Sequence, residues 1–239
     1  MRLLFSDVLV TDENHENHAK HVNIAVIGNT VEYVGEARPE GEFDRVISGN
    51  YLVMPGFYNA HCHSAMTLFR GLGGDLPLKH WLDEAILPAE DRLTPELVRL
   101  FTTEAIAEMI ACGTVAFSDM YFLCTDTARA ALDSGIKLNI SRSVVSFDED
   151  ADPAADYRVA EALELYREWN GEGDGRIKVD FSLHAEYTNT PRMCEYLADL
   201  AHKYDAGMQI HLSETEGEHL RCIEKYSVTP AAFFAARGV

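Results

Sequence analysis

Two histidines separated by one residue, His61-Cys62-His63, are the first side chains in this chain whose types and spacing could do chemistry. On a strand, positions i and i+2 share a face, so both imidazoles can reach one metal ion. Cys62 between them points the other way and reads as packing. A third imidazole, His211, stands at the tip of a later apolar segment, behind Met208 and Ile210. A lone histidine there is more often a satisfied core residue. Three neutral nitrogens with an acid close by make instead a hydrolytic metal site, and Glu214, three residues beyond His211, supplies the acid. A divalent metal lowers the pKa of bound water toward ~7, and a carboxylate beside it can take the proton and pass it to a leaving group. Glu214 also suits the first turn of a helix through Ser213-Glu214-Thr215-Glu216, where an acid favours the helix dipole. Zinc is the expected metal, with iron as the alternative, because imidazole-rich catalytic sites accept both.

Such a constellation needs a scaffold that brings distant segments together. Residues 1–53 read as short strands: Leu3-Leu4-Phe5 and Val8-Leu9-Val10 flank a turn, and Ile24–Ile27 and Val31–Val34 flank Gly28-Asn29, a hairpin signal. Tyr51-Leu52-Val53-Met54 is expected to start a buried strand that continues through Pro55-Gly56 to the histidine pair. From residue 54 to 239 strands and helices alternate. Thr94-Pro95, Asp152-Pro153, Thr190-Pro191 and Thr229-Pro230 each combine an N-cap with proline at the first helical position. Strands are expected at Thr114–Phe117, Lys137–Val145, Ile177–Leu183 and Met208–Leu212. The alternation predicts an α/β fold with a parallel sheet. No Gly-x-Gly-x-x-Gly follows the first strand, which disfavours a dinucleotide-binding version.

The motifs around these residues resemble the amidohydrolase superfamily. Pro55-Gly56-Phe57-x-Asn59-x-His61-x-His63 is similar to its first metal-binding strand, and His211-Leu212-Ser213-Glu214-Thr215 to its fifth-strand segment. Met66-x-x-x-Arg70-Gly71, Asp75-x-Pro77-Leu78-x-x-Trp81-Leu82 and Ile86-x-Pro88-x-Glu90 sharpen the likeness toward the 5′-methylthioadenosine/S-adenosylhomocysteine deaminases. Triazine chlorohydrolases and guanine deaminases are similar more loosely. The resemblance implies a metal-dependent (β/α)8 barrel, with residues 1–53 forming part of a small composite β-sandwich. It implies zinc-dependent hydrolytic deamination of adenosine-type thioether nucleosides, releasing ammonia. By the same likeness His61, His63 and His211 hold the metal, and Glu214 moves the proton. Glu90 would bond ribose hydroxyls, His184 and Arg142 would line the substrate pocket, and Trp81 would pack near its mouth. Arg142 could grip an amino-acid carboxylate at two points. Two other outcomes fit the residues: hydrolysis of another amino- or halo-heterocycle (guanine, cytosine, triazine), or a truncated, non-catalytic relative.

The strand count departs from the family. About five strand–helix units follow residue 50 where a closed barrel needs eight. The resemblance places a further metal-site histidine on the sixth strand and an aspartate on the eighth, beyond this sequence. A C-terminally truncated, incomplete barrel is therefore expected, completed by the missing segment in the same product or in a companion chain. Homo-oligomers remain open.

Bulk properties exclude other classes. The net charge of −19 over 239 residues argues against nucleic-acid or anionic-membrane partners, which need a basic face. The expected partner is a small nucleoside. Five widely spaced cysteines without a Cys-x-x-Cys pair suggest no disulfide framework and a reducing cytoplasm. No targeting segment or membrane span is evident. His15, His18, His21, His80, His202 and His219 receive no role.

Overall fold

The computed structural model describes residues 1–10 and 20–239, so His15 and His18 lie outside the described residues. The chain divides into two compact units, Met1–Gly56 and Phe57–Val239.

The first unit is one small sheet. Strand β1 (Arg2–Val10) pairs antiparallel with β2 (Lys20–Ile27), which pairs antiparallel with β3 (Thr30–Gly35) across Gly28-Asn29. Gly28 has φ of 63°, the left-handed conformation that such a turn requires. Strands β4 (Arg45–Ser48) and β5 (Leu52–Val53) run parallel to β1. The turn expected between Leu3-Leu4-Phe5 and Val8-Leu9-Val10 is instead a register shift within one strand, with Asp7 at φ 54°. Val8, Val22 and Ile24 make the buried centre.

The continuous strand expected from Tyr51 into the histidine pair is not formed. Leu52-Val53 belongs to the first sheet, and β6 (Phe57–Cys62) opens the second, with Pro55-Gly56 between them. Tyr51, Leu52 and Met54 are exposed rather than buried. Proline carries no N–H to extend the ladder, which accounts for the break.

The second unit holds a parallel sheet in sequence order: β6, β7 (Thr114–Tyr121), β8 (Lys137–Val144), β9 (Ile177–Leu183) and β10 (Met208–Gln209). Helices α1 (Pro95–Ala111), α2 (Cys124–Ser134), α3 (Tyr157–Trp169) and α4 (Pro191–Tyr204) link successive strands, and α5 (Glu216–Tyr226) and α6 (Pro230–Ala235) follow β10. The threonines expected as caps do cap: Thr94 accepts from Leu97 N–H, Thr190 from Met193 N–H and Thr229 from Ala232 N–H. Asp152-Pro153 starts only a short 3-10 turn, and α3 is capped by Asp156.

Period-2 alternation gives the sheet two unlike faces. Phe117, Leu138, Ile140, Ile177 and Val179 pack with Ile106, Ala128 and Leu165 from the helices. Val144, Phe181 and Leu183 pack with Met193, Leu197, Phe233 and Phe234. Residues of the other parity are polar: Asn139 Nδ2 donates to Asp180 Oδ2 at 2.7 Å, and Ser141 and Ser182 are fully buried. Asp180 Oδ1 also accepts from Gly207 N–H at 2.8 Å. A Cβ at Gly207 would stand 2.8 Å from Asp180 Oδ2, so only glycine permits this tie between β9 and the start of β10. A polar inner face under a helix-covered sheet is the layout of a (β/α) barrel, of which this unit holds five parallel strands.

Candidate functional site

The polar face carries the imidazoles. His61 lies near the end of β6 and His63 just past it, on the face opposite Cys62, which packs against the helix-side core. His211 follows β10, where its N–H donates to His184 O at 2.9 Å, and His184 N–H donates to Val144 O at 2.9 Å. The ladder thus runs past the strand ends and sets these histidines at the sheet's C-terminal edge. Nε2 of His61 and Nε2 of His211 are 3.2 Å apart, and Nε2 of His211 and Nε2 of His63 are 3.3 Å apart. One ligand atom from each of the three falls within 4.8 Å of the others.

The protonation states suit a cation. His63 Nδ1–H donates to the Met120 carbonyl at 2.5 Å; since a carbonyl only accepts, the lone pair sits on Nε2 and faces the other two rings. Burial, only partly offset by the hydrogen bond to the Met120 carbonyl, holds His63 below the usual imidazole pKa. Burial and then the neighbouring His63 do the same for His61. His211 is pushed down to about 3, by burial first and then by His184, His63 and His61. Three neutral imidazoles whose Nε2 atoms converge form a donor set that a cation between them would satisfy. The donor set therefore fits a divalent ion of the zinc or iron type. His211 Nδ1 is buried without a hydrogen-bond partner among the described residues.

Glu214 lies one short loop past His211, close enough for its charge to act on His61. Burial, then Glu218, raises its pKa. Its main-chain N–H donates to Glu218 Oε2 at 2.8 Å, and Thr215 N–H donates to the same oxygen at 3.3 Å. His184 stands beside the cluster, its ring centroid 4.9 Å from that of His211 and its Nδ1 3.1 Å from Thr188 Oγ1. Glu90 reaches the cluster through one intermediary. Its Oε1 accepts from Tyr121 O–H at 2.5 Å, and the Tyr121 ring centroid is 6.0 Å from that of His63.

One expected pocket residue is placed elsewhere. Arg142 shares the parity of Leu138, Ile140 and Val144 and so turns to the helix side, where Nε donates to Glu161 Oε2 on α3 at 2.7 Å. Trp81 opens the helical segment Trp81–Ile86 and donates Nε1–H to Leu72 O at 2.8 Å. A cavity of about 960 Å³ beside Glu218 is lined by Lys79, Asp83, Glu186, Tyr187 and Arg221, but not by the imidazoles.

One supporting acid escaped the sequence reading. Asp119, on β7, is fully buried and accepts from Ser64 N–H at 2.9 Å and from the Ser64 hydroxyl. It clamps the residue after His63, and burial holds its pKa up at about 6. An acid inside the apolar strand Val115–Met120 was the available signal.

Residues 52–233 match the profile of the amidohydrolase family. The chain belongs to the amidohydrolase family. A 5-methylthioadenosine/S-adenosylhomocysteine deaminase of Caldanaerobacter subterraneus subsp. tengcongensis is 38% identical over 240 residues, covering 100% of this chain and 55% of that protein. A 5′-deoxyadenosine deaminase of Methanobrevibacter smithii is 36% identical over 220 residues, covering 92% of this chain and 48% of that protein. Among solved structures, a zinc-bound adenosine deaminase from Xanthomonas campestris superposes with a TM-score of 0.88 at 29% identity, over 99% of this chain and 55% of that one. This amidohydrolase chain thus spans about half the length of the curated relatives it matches.

Proposed function

We propose that this chain carries the metal-binding half of a hydrolytic deaminase for adenine nucleosides with a 5′-thioether or 5′-deoxy substituent, such as 5′-methylthioadenosine and S-adenosylhomocysteine. The observation that carries the proposal is the convergence of Nε2 from His61, His63 and His211 with Glu214 alongside. The deaminase names of relatives at 36–38% identity support the substrate class.

His61, His63 and His211 would hold a divalent ion, zinc by preference. When bound, such an ion supplies the Lewis acidity that brings the pKa of water toward ~7. Glu214 takes a proton from the attacking water and returns it to the departing amine, so that oxygen replaces nitrogen at adenine C6 and ammonia leaves. A raised pKa suits the first half of that task, because a carboxylate of higher pKa is the stronger base toward the attacking water. His184 adds a neutral imidazole beside the reacting groups. Glu90, held by Tyr121, would accept from sugar hydroxyls. Arg142 takes no part, since its guanidinium is committed to Glu161.

The test is ammonia release from S-adenosylhomocysteine, 5′-methylthioadenosine and adenosine with zinc supplied. The 239-residue chain is assayed beside a version extended through any in-frame downstream sequence. Turnover of the thioether nucleosides by either protein is the expected result. Zinc binding by both without turnover of any of the three would overturn the substrate assignment.

A further inference from the structure

Glu186 and Glu218 form a second group of like side chains, outside the imidazole cluster. Glu186 opens the short 3-10 turn Glu186–Thr188 after β9 and is 2% exposed; Glu218, in the first turn of α5, is 1% exposed. The two side chains line the same cavity, and the charge of Glu218 acts on Glu186. Oε2 of Glu186 and Oε1 of Glu218 are both buried, and neither meets a donor among the described residues. Two ionised carboxylates offer only acceptors, so full ionisation would leave two orphaned oxygens and two like charges in one buried place. One proton between them removes both faults.

We infer that Glu186 and Glu218 share a single proton, and that this acid pair is the latch that fixes the main chain of Glu214 beside the imidazoles. The other oxygen of Glu218 already holds the Glu214 and Thr215 N–H groups. Glu186 touches no reacting atom; it acts through Glu218 and is a positioning residue. Its importance for turnover rests on the reading of Glu214 as the proton carrier, whereas the latch itself does not.

The surroundings favour one shared proton. From α5, Glu218, Arg221 and Cys222 face Glu186; from α4, Cys194 does; Glu214 and Tyr187 lie close by, and the His184 imidazole faces Glu218. Lys79 and Asp83 border the same cavity, and Arg237 lies beyond Cys194 and Cys222. Arg221 is the cation whose charge reaches Glu186, yet it makes no ion pair with it among the described residues. Burial first, then Glu218, lifts Glu186 to about 7. Below that pH Glu186 is neutral and donates to Glu218. Above it both carboxylates are charged, they repel, and the grip on Glu214 N–H weakens.

Hydrogen exchange at the Glu214 and Thr215 amides reads the latch directly and needs neither substrate nor turnover. It is measured on the 239-residue chain from about pH 5.5 to about pH 8.5, after correction for intrinsic base catalysis. The expected result is a loss of protection on the order of tenfold to a hundredfold as pH rises through the Glu186 titration. Glu186→Gln, a permanently neutral donor, is expected to keep both amides protected throughout. Protection in the wild-type chain that does not change with pH would overturn the latch, and so would a Glu186→Gln profile with the wild-type step. If that variant does not fold, the wild-type profile alone decides. A latch that responds as expected in a protein with no deaminase activity would refute the functional reading and leave the latch standing.

Discussion

The imidazole cluster and the Glu186–Glu218 pair are built from the same move applied to opposite charges. In the first, burial pushes three histidines down, His211 to about 3, so that the rings stay neutral with their Nε2 atoms turned toward one another. In the second, burial pushes a carboxyl up to about 7 and retains a proton that solvent would strip away. Desolvation disfavours whichever form is charged, so a chain with a net charge of −19 nonetheless holds its functional centre near neutrality. The two groups then diverge in use. Neutral imidazoles that face each other invite a cation, whereas neutral and ionised carboxyls that face each other satisfy one another.

Substitutions can break this contrast. Removing one imidazole should have the largest effect: His63→Ala or His211→Ala is expected to weaken zinc binding by more than about 100-fold, measured by competition calorimetry. Next comes Glu214→Gln, expected to lower deamination by about 10²–10⁴-fold while zinc affinity stays near the wild-type value. The same residue shapes the pH profile. Its pKa is raised by burial and by Glu218, and it must be ionised to accept a proton. The acidic limb of the rate should therefore lie above the ordinary glutamate pKa of 4.5.

A smaller effect is expected at Asp119. Asp119→Ala leaves the buried Ser64 N–H without its acceptor and should cost about 1–3 kcal/mol, read from urea denaturation. Smallest is a pair of opposed slopes in melting temperature, each a matter of a few degrees. In the metal-free chain the depressed histidines take up protons on unfolding, so their contribution to stability is lost as pH falls below 6.5. The raised Glu186 releases a proton on unfolding, so its contribution is full below 4.5 and is lost as pH rises through about 7. His211→Phe should flatten the first slope and Glu186→Gln the second. A melting temperature equally steep on both sides in both variants would contradict the shared origin of the two groups.

How much of this was legible beforehand follows from which signals are local. The Thr-Pro pairs carry cap and first turn within two residues, so the helix starts at Pro95, Pro191 and Pro230 could be read directly. The i, i+2 spacing of His61 and His63 fixed their common face, and a metal partner for His211 could be expected from residue types alone. Where the sequence misled, the deciding contact was distant. Leu52 and Val53 have the composition of a buried strand, yet they pair with Leu9 and Val10 at an exposed edge. Met208–Leu212 looks like a strand of five residues, but only Met208 and Gln209 pair with β9 before the chain turns toward Glu214. Arg142 fell on the wrong side because parity along β8 is set by register with its neighbours, which a motif does not encode. Asp119, Glu186 and Glu218 are spelled like surface acids, and only packing reveals them as buried. Two of the three had a local clue: Asp119 as an acid inside the apolar run of β7, and Glu218 as the fourth residue of the capping box that begins at Thr215.

The most direct test of the central claim is the zinc stoichiometry of the purified chain, by competition calorimetry against a chelator, for the wild type and for His61→Ala, His63→Ala and His211→Ala. One tightly held ion in the wild type, lost in each of the three variants while the fold persists, is the expected result. Zinc held equally well by any of these variants would contradict a centre built on His61, His63 and His211.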